Sequence, residues 1–163
     1  MNVTSLSRVS PVSAFLIATL PVVAVAIIGG VVTAPNIPVW HASLVKPSFN
    51  PPNAVFGPVW SLLFGMMAYA FYRVLTGQPK VLQGAAVTAF GVQLALNCAW
   101  SFAFFGAHSP GLGLVVSIAL WISVLATMVL FWRLDRISGA LFVPYLAWVS
   151  FATLLNAAIW RLN

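Results

Sequence analysis

Five long, mostly apolar stretches constrain this chain more than any other feature: Val12–Thr33, Val55–Leu75, Leu82–Phe105, Leu112–Phe131 and Ile137–Trp160. Each reaches the roughly 20 residues that an α-helix needs to cross the hydrocarbon of a bilayer. Inside lipid every backbone N–H and C=O must be satisfied within the protein, and helices do so within one segment. The charge inventory agrees. The 163 residues carry seven Lys and Arg and one acidic side chain, 5% in all, against 62% hydrophobic residues. A soluble domain carries about 25% charged residues. So few charges cannot cover a water-soluble globule, and a mean hydropathy of +1.05 excludes an aqueous enzyme. The net charge of +6 does not point to nucleic acid. The basic residues are scattered singly, whereas such a partner requires them clustered on one face. The expected architecture is an all-α membrane protein: one domain over residues 1–163, a five-transmembrane-helix bundle set in the lipid bilayer, with no internal repeat.

The expected connections are Ala34–Ala54, Thr76–Val81, Gly106–Gly111 and Trp132–Arg136. The last three are short, as suits antiparallel neighbours in a bundle. The first is long and rich in proline and asparagine, and is the loop with room to act. Arg8 followed by an apolar run and Ala24-Val25-Ala26 has the outline of a cleavable signal. The run continues to Val32, however, and reads as a retained helix. Gly29-Gly30 near its end allows close approach of a neighbour or a ligand. Arg8, Arg73, Lys80, Arg133 and Arg136 fall on one side of the membrane, with Lys46 and Arg161 on the other. The positive-inside rule then puts the N-terminus in the cytoplasm and the C-terminus outside. Asp135 is read as a local ion partner of its arginine neighbours or as the N-cap of the fifth span.

No Asp, Glu, Lys, Arg or His falls in the middle of a span, so ion coupling and intramembrane acid–base catalysis are not expected. His41 and His108 are loop residues in this reading and Cys98 stands alone, so neither a metal site nor a disulfide is expected. What the interior offers is aromatic surface with a few amides. Gln93, Asn97 and Trp100 share one face of the third span. Tyr145, Trp148, Ala152 and Leu155, with Asn156 beside them, recur on the fifth, and Trp60, Phe64 and Met67 align on the second. The fourth offers Ser117, Trp121 and Val124. Residue by residue, such groups are core filling and helix cross-links. Together, flat rings beside small residues and isolated amides describe a pocket for a flat, apolar ligand between helices.

Three motifs in order carry a resemblance. The first loop and second span read Trp40-x3-Leu44-x-Lys46-Pro47-x-Phe49-x-Pro51-Pro52-x3-Phe56-x3-Trp60. The third span reads Gln93-Leu94-x-Leu96-Asn97-x2-Trp100-Ser101-x2-Phe104-Phe105, and the fifth Pro144-Tyr145-Leu146-x-Trp148-x2-Phe151-Ala152-x2-Leu155-Asn156. With the five-span layout, the chain resembles the TspO/MBR family, the tryptophan-rich sensory proteins and translocator proteins also called peripheral-type benzodiazepine receptors.

The resemblance implies a cavity opening toward the first loop, which serves as its lid through Lys46, Pro47, Pro51 and Pro52. Proline there lowers the entropy lost on ordering the loop, and Pro51 or Pro52 suits the opening of the second helix. Family members bind porphyrins, notably protoporphyrin IX, and synthetic benzodiazepine-type ligands. Carried onto this chain, the ligand would meet Trp40, Trp60, Asn97, Trp100, Trp121, Trp148, Ala152, Leu155 and Asn156, with Asn97 donating to a ligand carbonyl. No cofactor is required beyond the tetrapyrrole itself as ligand. Some bacterial relatives degrade porphyrin in light, which would make Trp60 and Trp148 the catalytic residues; transport of porphyrin or sterol is a further alternative. The sterol pattern of mammalian members is broken here, since Leu155-Asn156-Ala157-Ala158-Ile159-Trp160-Arg161 lacks its tyrosine. Phe64 likewise replaces a tyrosine of the family's second-span motif. The resemblance also implies a homodimer, for which Gly84, Thr88, Gly91 and Ala95 offer a small-residue face. The short chain and its charge asymmetry suit a bacterial plasma membrane.

Overall fold

The computed structural model of the chain describes residues 9–77 and 81–163. Arg8 and Lys80, two of the cations that set the expected orientation, lie outside the described residues. Among the described residues the fold is all α, with five helical segments long and apolar enough to cross a membrane. Helix α1 (Pro11–Thr33) opens on Ser10, whose Oγ accepts from the Ser13 amide at 3.1 Å, with Pro11 in the first turn, where its missing N–H costs nothing. Helices α2 (Asn53–Thr76), α3 (Gln83–Ser101) and α4 (Pro110–Leu134) follow. The fifth crossing is a pair, α5 (Arg136–Leu141) and α6 (Val143–Leu162). In the bundle α4 packs against both α3 and α6, and α1 packs against α2 and α3. Val12, Leu20, Val31, Leu62, Val115 and Ile122 are among the many large apolar side chains left facing outward, as a lipid-facing surface requires.

Two expectations are corrected. The first connection does not begin at Ala34: the helical path continues through a 3-10 turn (Ala34–Asn36) and a π-helical turn (Ile37–His41). Pro35 and Pro38 remove donors from a regular ladder, and changing the hydrogen-bond register carries the helix past them rather than ending it. The Asn36 side chain helps by donating to the Val32 carbonyl at 2.8 Å. The loop proper is confined to residues 44–52. The fifth span is likewise not one rod. It breaks at Phe142, two residues before Pro144, which has no amide hydrogen to continue the ladder of α5.

The two halves of the bundle are built differently. At the end where α2 and α4 finish, Phe71 stacks on Phe90 at 4.0 Å between ring centroids, and Phe131 and Phe142 complete a buried aromatic cluster. Asp135 closes this end. It N-caps α5 by accepting from the Ser138 amide at 3.0 Å, as one of the two readings had it. Its ion partner, however, is neither sequence neighbour. Arg73 at the end of α2 donates to both carboxylate oxygens, at 2.8 and 3.2 Å, while Arg133 and Arg136 are exposed. This guanidinium, followed by Ser138, holds the Asp135 carboxyl well below the usual carboxylate range. Gly139 makes the corner between α4 and α5 feasible, since a Cβ there would lie 2.6 Å from the Trp132 Cα.

Candidate functional site: an aromatic cavity in the lid half of the bundle

The opposite half is hollow. A cavity of about 510 Å³ is bordered by the C-terminal turns of α1 and α3 with the irregular helical turns that follow them, the first three turns of α2, Ser117 and Leu120 of α4, and the stretch of α6 from Trp148 to Ile159. All these segments lie at the end of the bundle that carries the loop 44–52. The size falls within the range of small-molecule sites.

Aromatic side chains form the walls. Trp60 and Phe64, one turn apart on α2, face in with ring centroids 5.5 Å apart. Trp148 of α6 also lines the cavity, with the Phe56 ring at 5.8 Å and the Phe151 ring at 5.5 Å from its own. Trp100 of α3 stacks on Phe104 at 5.2 Å. Ala152, Leu155 and Asn156 complete the α6 face. Space comes from small residues: Gly29 and Gly30 of α1 both border the cavity, and a Cβ at Gly30 would meet nothing within 4 Å. No charged side chain lines it.

The amides brace the helices that frame this space. Asn97 donates to the Tyr145 hydroxyl at 3.0 Å, which in turn donates to Gln93 Oε1 at 3.1 Å. This relay ties α3 to α6 at the level where the cavity gives way to the packed half. Nearer the lid, Trp100 donates its indole N–H to Asn156 Oδ1 at 3.1 Å, and Asn156 donates to the Pro110 carbonyl at 2.7 Å. Asn97 and Asn156 thus serve as cross-links and as lining at once. Two polar atoms on lining residues are sealed from solvent without a hydrogen-bond partner: Trp148 Nε1 and His41 Nδ1.

Seven of the residues singled out from sequence come together here: Trp60, Asn97, Trp100, Trp148, Ala152, Leu155 and Asn156. Trp40 and Trp121 do not reach the cavity. Trp40 sits on the helical extension of α1, edge-on to Phe104 and stacked at 4.8 Å on His108. Trp121 donates its N–H to Ser150 Oγ at 2.7 Å, an α4–α6 cross-link outside the lining. Lys46, Pro47, Pro51 and Pro52 also stay off the cavity wall; Asn53 and Phe56, at the start of α2, take that place. Lys46 Nζ donates to the Leu44 carbonyl at 3.3 Å. The loop is clasped from α6, because the Asn163 side chain accepts from the Val45 amide and donates to the Val45 carbonyl, each at 3.0 Å. Sequence reasoning missed His41 as a lining residue. The π-helical turn resets the phase of the helix, so a 3.6-residue period does not place it.

Such a site can enclose a flat apolar molecule, stack on it and offer it a few hydrogen bonds. It contains no acid–base pair. Among the described residues no group of three or more His, Cys, Asp or Glu is placed to hold a metal ion.

The TspO/MBR family model matches residues 17–161. A tryptophan-rich protein TspO of Chlorobaculum tepidum is 48% identical over 76% of this chain and 79% of its own length. The protein CrtK of Rhodobacter capsulatus is 43% identical over 76% of this chain and 78% of its own. The human translocator protein is 42% identical over 76% of this chain and 75% of its own. The match with the family model spans all five membrane-crossing segments, and the chain belongs to the TspO/MBR family.

Proposed function

We propose that this membrane protein is a receptor or sensor that binds porphyrins, protoporphyrin IX-like tetrapyrroles, in the lid-half cavity and modulates their handling. The observation that carries this reading is a cavity of about 510 Å³ with aromatic walls and no charged side chain. A flat macrocycle gains by stacking on Trp60, Trp100 and Trp148, and the small residues Gly30 and Ala152 leave room for its edge. The test is a titration of the detergent-purified protein with protoporphyrin IX in the dark, read by tryptophan quenching. Saturable quenching that weakens in Trp148→Phe supports the reading, and quenching that never saturates rejects it.

Light-dependent degradation is the second reading, favoured by one feature: Trp60 and Trp148, both electron-rich indoles, line the same cavity. An excited porphyrin between them, with dioxygen as oxidant, needs no acid–base pair. Illuminating the complex distinguishes the two readings. Bleaching to a new spectrum that depends on both tryptophans marks degradation, whereas a stable spectrum marks a receptor.

We further propose residence in a bacterial plasma membrane with the N-terminus cytoplasmic and the C-terminus outside. Among the described residues Arg73, Arg133 and Arg136 lie at the packed end, against Lys46 and Arg161 at the lid end. Labelling of a cysteine placed after Arg161, from outside sealed cells, tests this. A homodimer through α3 is also proposed. Gly84, Thr88, Gly91 and Ala95 are all exposed, and a Cβ at Gly84 or Gly91 meets nothing within 4 Å. Loss of crosslinking in membranes on Gly91→Leu is the expected result.

A further inference from the structure

The whole chain holds one acidic side chain, Asp135, against seven Lys and Arg. The fold gives that carboxylate to Arg73, which donates to both of its oxygens at 2.8 and 3.2 Å. Arg133 and Arg136, the sequence neighbours of Asp135, are left exposed at the corner between α4 and α5, and neither forms an ion pair. With no second Asp or Glu anywhere in the sequence, a side-chain counter-anion for these two guanidiniums has to come from outside the chain. At the lid end the described cations are Lys46 and Arg161, and Lys46 already donates to the Leu44 carbonyl. A pair of free guanidiniums three residues apart is therefore a property of the packed end.

What lies beside the two cations narrows the partner. Trp132 packs against Gly139 so closely that a Cβ there would lie 2.7 Å from the indole Cε3, yet the ring keeps an exposed side. Ile137, Ala140 and Val143 are exposed along α5 and the start of α6. The guanidiniums thus crown an apolar outward face, at the level where one membrane-crossing segment ends at Leu134 and the next begins at Arg136. An acidic peptide or a nucleic acid would meet the charges from water and leave that apolar face unused. A phospholipid uses both, because its phosphate sits at the level favoured by interfacial tryptophans and its chains run along the helices below. Arginine suits the phosphate, since its planar fork presents paired N–H groups to two oxygens. We propose that the α4–α5 corner is a docking surface for an anionic phospholipid. Arg133 and Arg136 hold its phosphate, and its acyl chains lie on Trp132, Ile137, Ala140 and Val143. The proposal is independent of what the cavity binds.

The test titrates delipidated full-length protein in detergent with phosphatidylglycerol or with phosphatidylcholine of the same acyl chains, and reads bound lipid by native mass spectrometry. Phosphatidylglycerol should bind the wild type on the order of tenfold more tightly. That preference should fall to near parity in the double variant Arg133→Gln/Arg136→Gln and survive in Arg133→Lys/Arg136→Lys, which keeps the charges. Arg161→Gln, which removes one cation at the opposite end, should leave it unchanged. Phosphatidylglycerol with brominated acyl chains should quench tryptophan fluorescence more in the wild type than in Trp132→Phe, a readout that holds even where the glutamine variant is unstable. Inorganic phosphate at the same concentrations should not displace the lipid. Equal binding of the two lipids by the wild type overturns the proposal. So does a preference that the two glutamines leave intact or that Arg161→Gln abolishes as fully. Equal quenching of the wild type and Trp132→Phe, or displacement by inorganic phosphate, overturns the phospholipid as occupant.

Discussion

The two ends of this bundle use the same helices and similar residues to opposite effect. At the packed end, Phe71, Phe90, Phe131 and Phe142 meet one another and exclude everything else. At the lid end, Trp60, Trp100 and Trp148 line a space of about 510 Å³ together with the small residues Gly30 and Ala152. An aromatic ring in a membrane protein is therefore not informative by itself. Its meaning depends on whether its neighbours are large or small. The ends also close differently. The packed end is tied by the Arg73–Asp135 ion pair, whereas the ties at the lid end are between neutral groups: Asn163 on the backbone of Val45, Trp100 on Asn156, and Asn156 on the Pro110 carbonyl. The gradient from a firm end to a looser one suits a site that must admit a ligand.

The comparison breaks most visibly in the aromatic cluster. Phe90→Ala should cost about 3 kcal/mol, near the low end for such truncations. The reason is that lipid is as apolar as the bundle interior, so van der Waals contacts are lost but little transfer energy. Thermal unfolding in detergent should show it, while ligand affinity of the folded fraction stays unchanged. Next in size, Ala152→Trp should fill the cavity and lower protoporphyrin affinity by on the order of 100-fold, about 2.7 kcal/mol. Its melting temperature should scarcely move, because the added ring enters open space rather than a packed core.

Asp135 sharpens the contrast through pH. Its carboxyl titrates lower in the folded protein than in the unfolded chain, so its contribution to stability is complete above the unfolded value of about 3.9. That contribution is lost as pH falls from there toward the folded value. Thermal stability of the wild type should therefore be flat from neutral pH to about 5 and decline below about 4, a decline that Asp135→Asn lacks. At neutral pH Asp135→Ala should cost about 1–2 kcal/mol, chiefly the lost helix cap, and Asp135→Asn less, because asparagine still caps. The smallest effect belongs to the clasp. Asn163→Ala should cost about 0.5–1 kcal/mol and speed ligand release, with protease cleavage within residues 44–52 as the readout.

Much of this was legible beforehand, for reasons that particular residues make plain. The spans follow from length and hydropathy, and apart from the continuation of α1 and the break in the fifth their ends agree to within a few residues. Helical spacing placed Asn97 with Trp100 and Trp148 with Ala152, and each pair indeed faces one space. Spacing failed where the helix is not regular. Pro35 and Pro38 read as loop signals, yet the chain stays helical to His41 by changing its hydrogen-bond register. That change carried His41 into the cavity and Trp40 onto His108. Spacing also says nothing about partners far along the chain. Arg73 and Asp135 are 62 residues apart, and Trp121 found Ser150 on a helix its own periodicity does not describe.

The most direct test of the account is a dark titration of protoporphyrin IX into three proteins: the wild type, Ala152→Trp and Phe90→Ala. Saturable tryptophan quenching should appear in the wild type, persist in folded Phe90→Ala and shift to on the order of 100-fold higher protoporphyrin concentration in Ala152→Trp. Equal binding by the wild type and Ala152→Trp would contradict the claim that the lid half holds the ligand and the packed half only supports it.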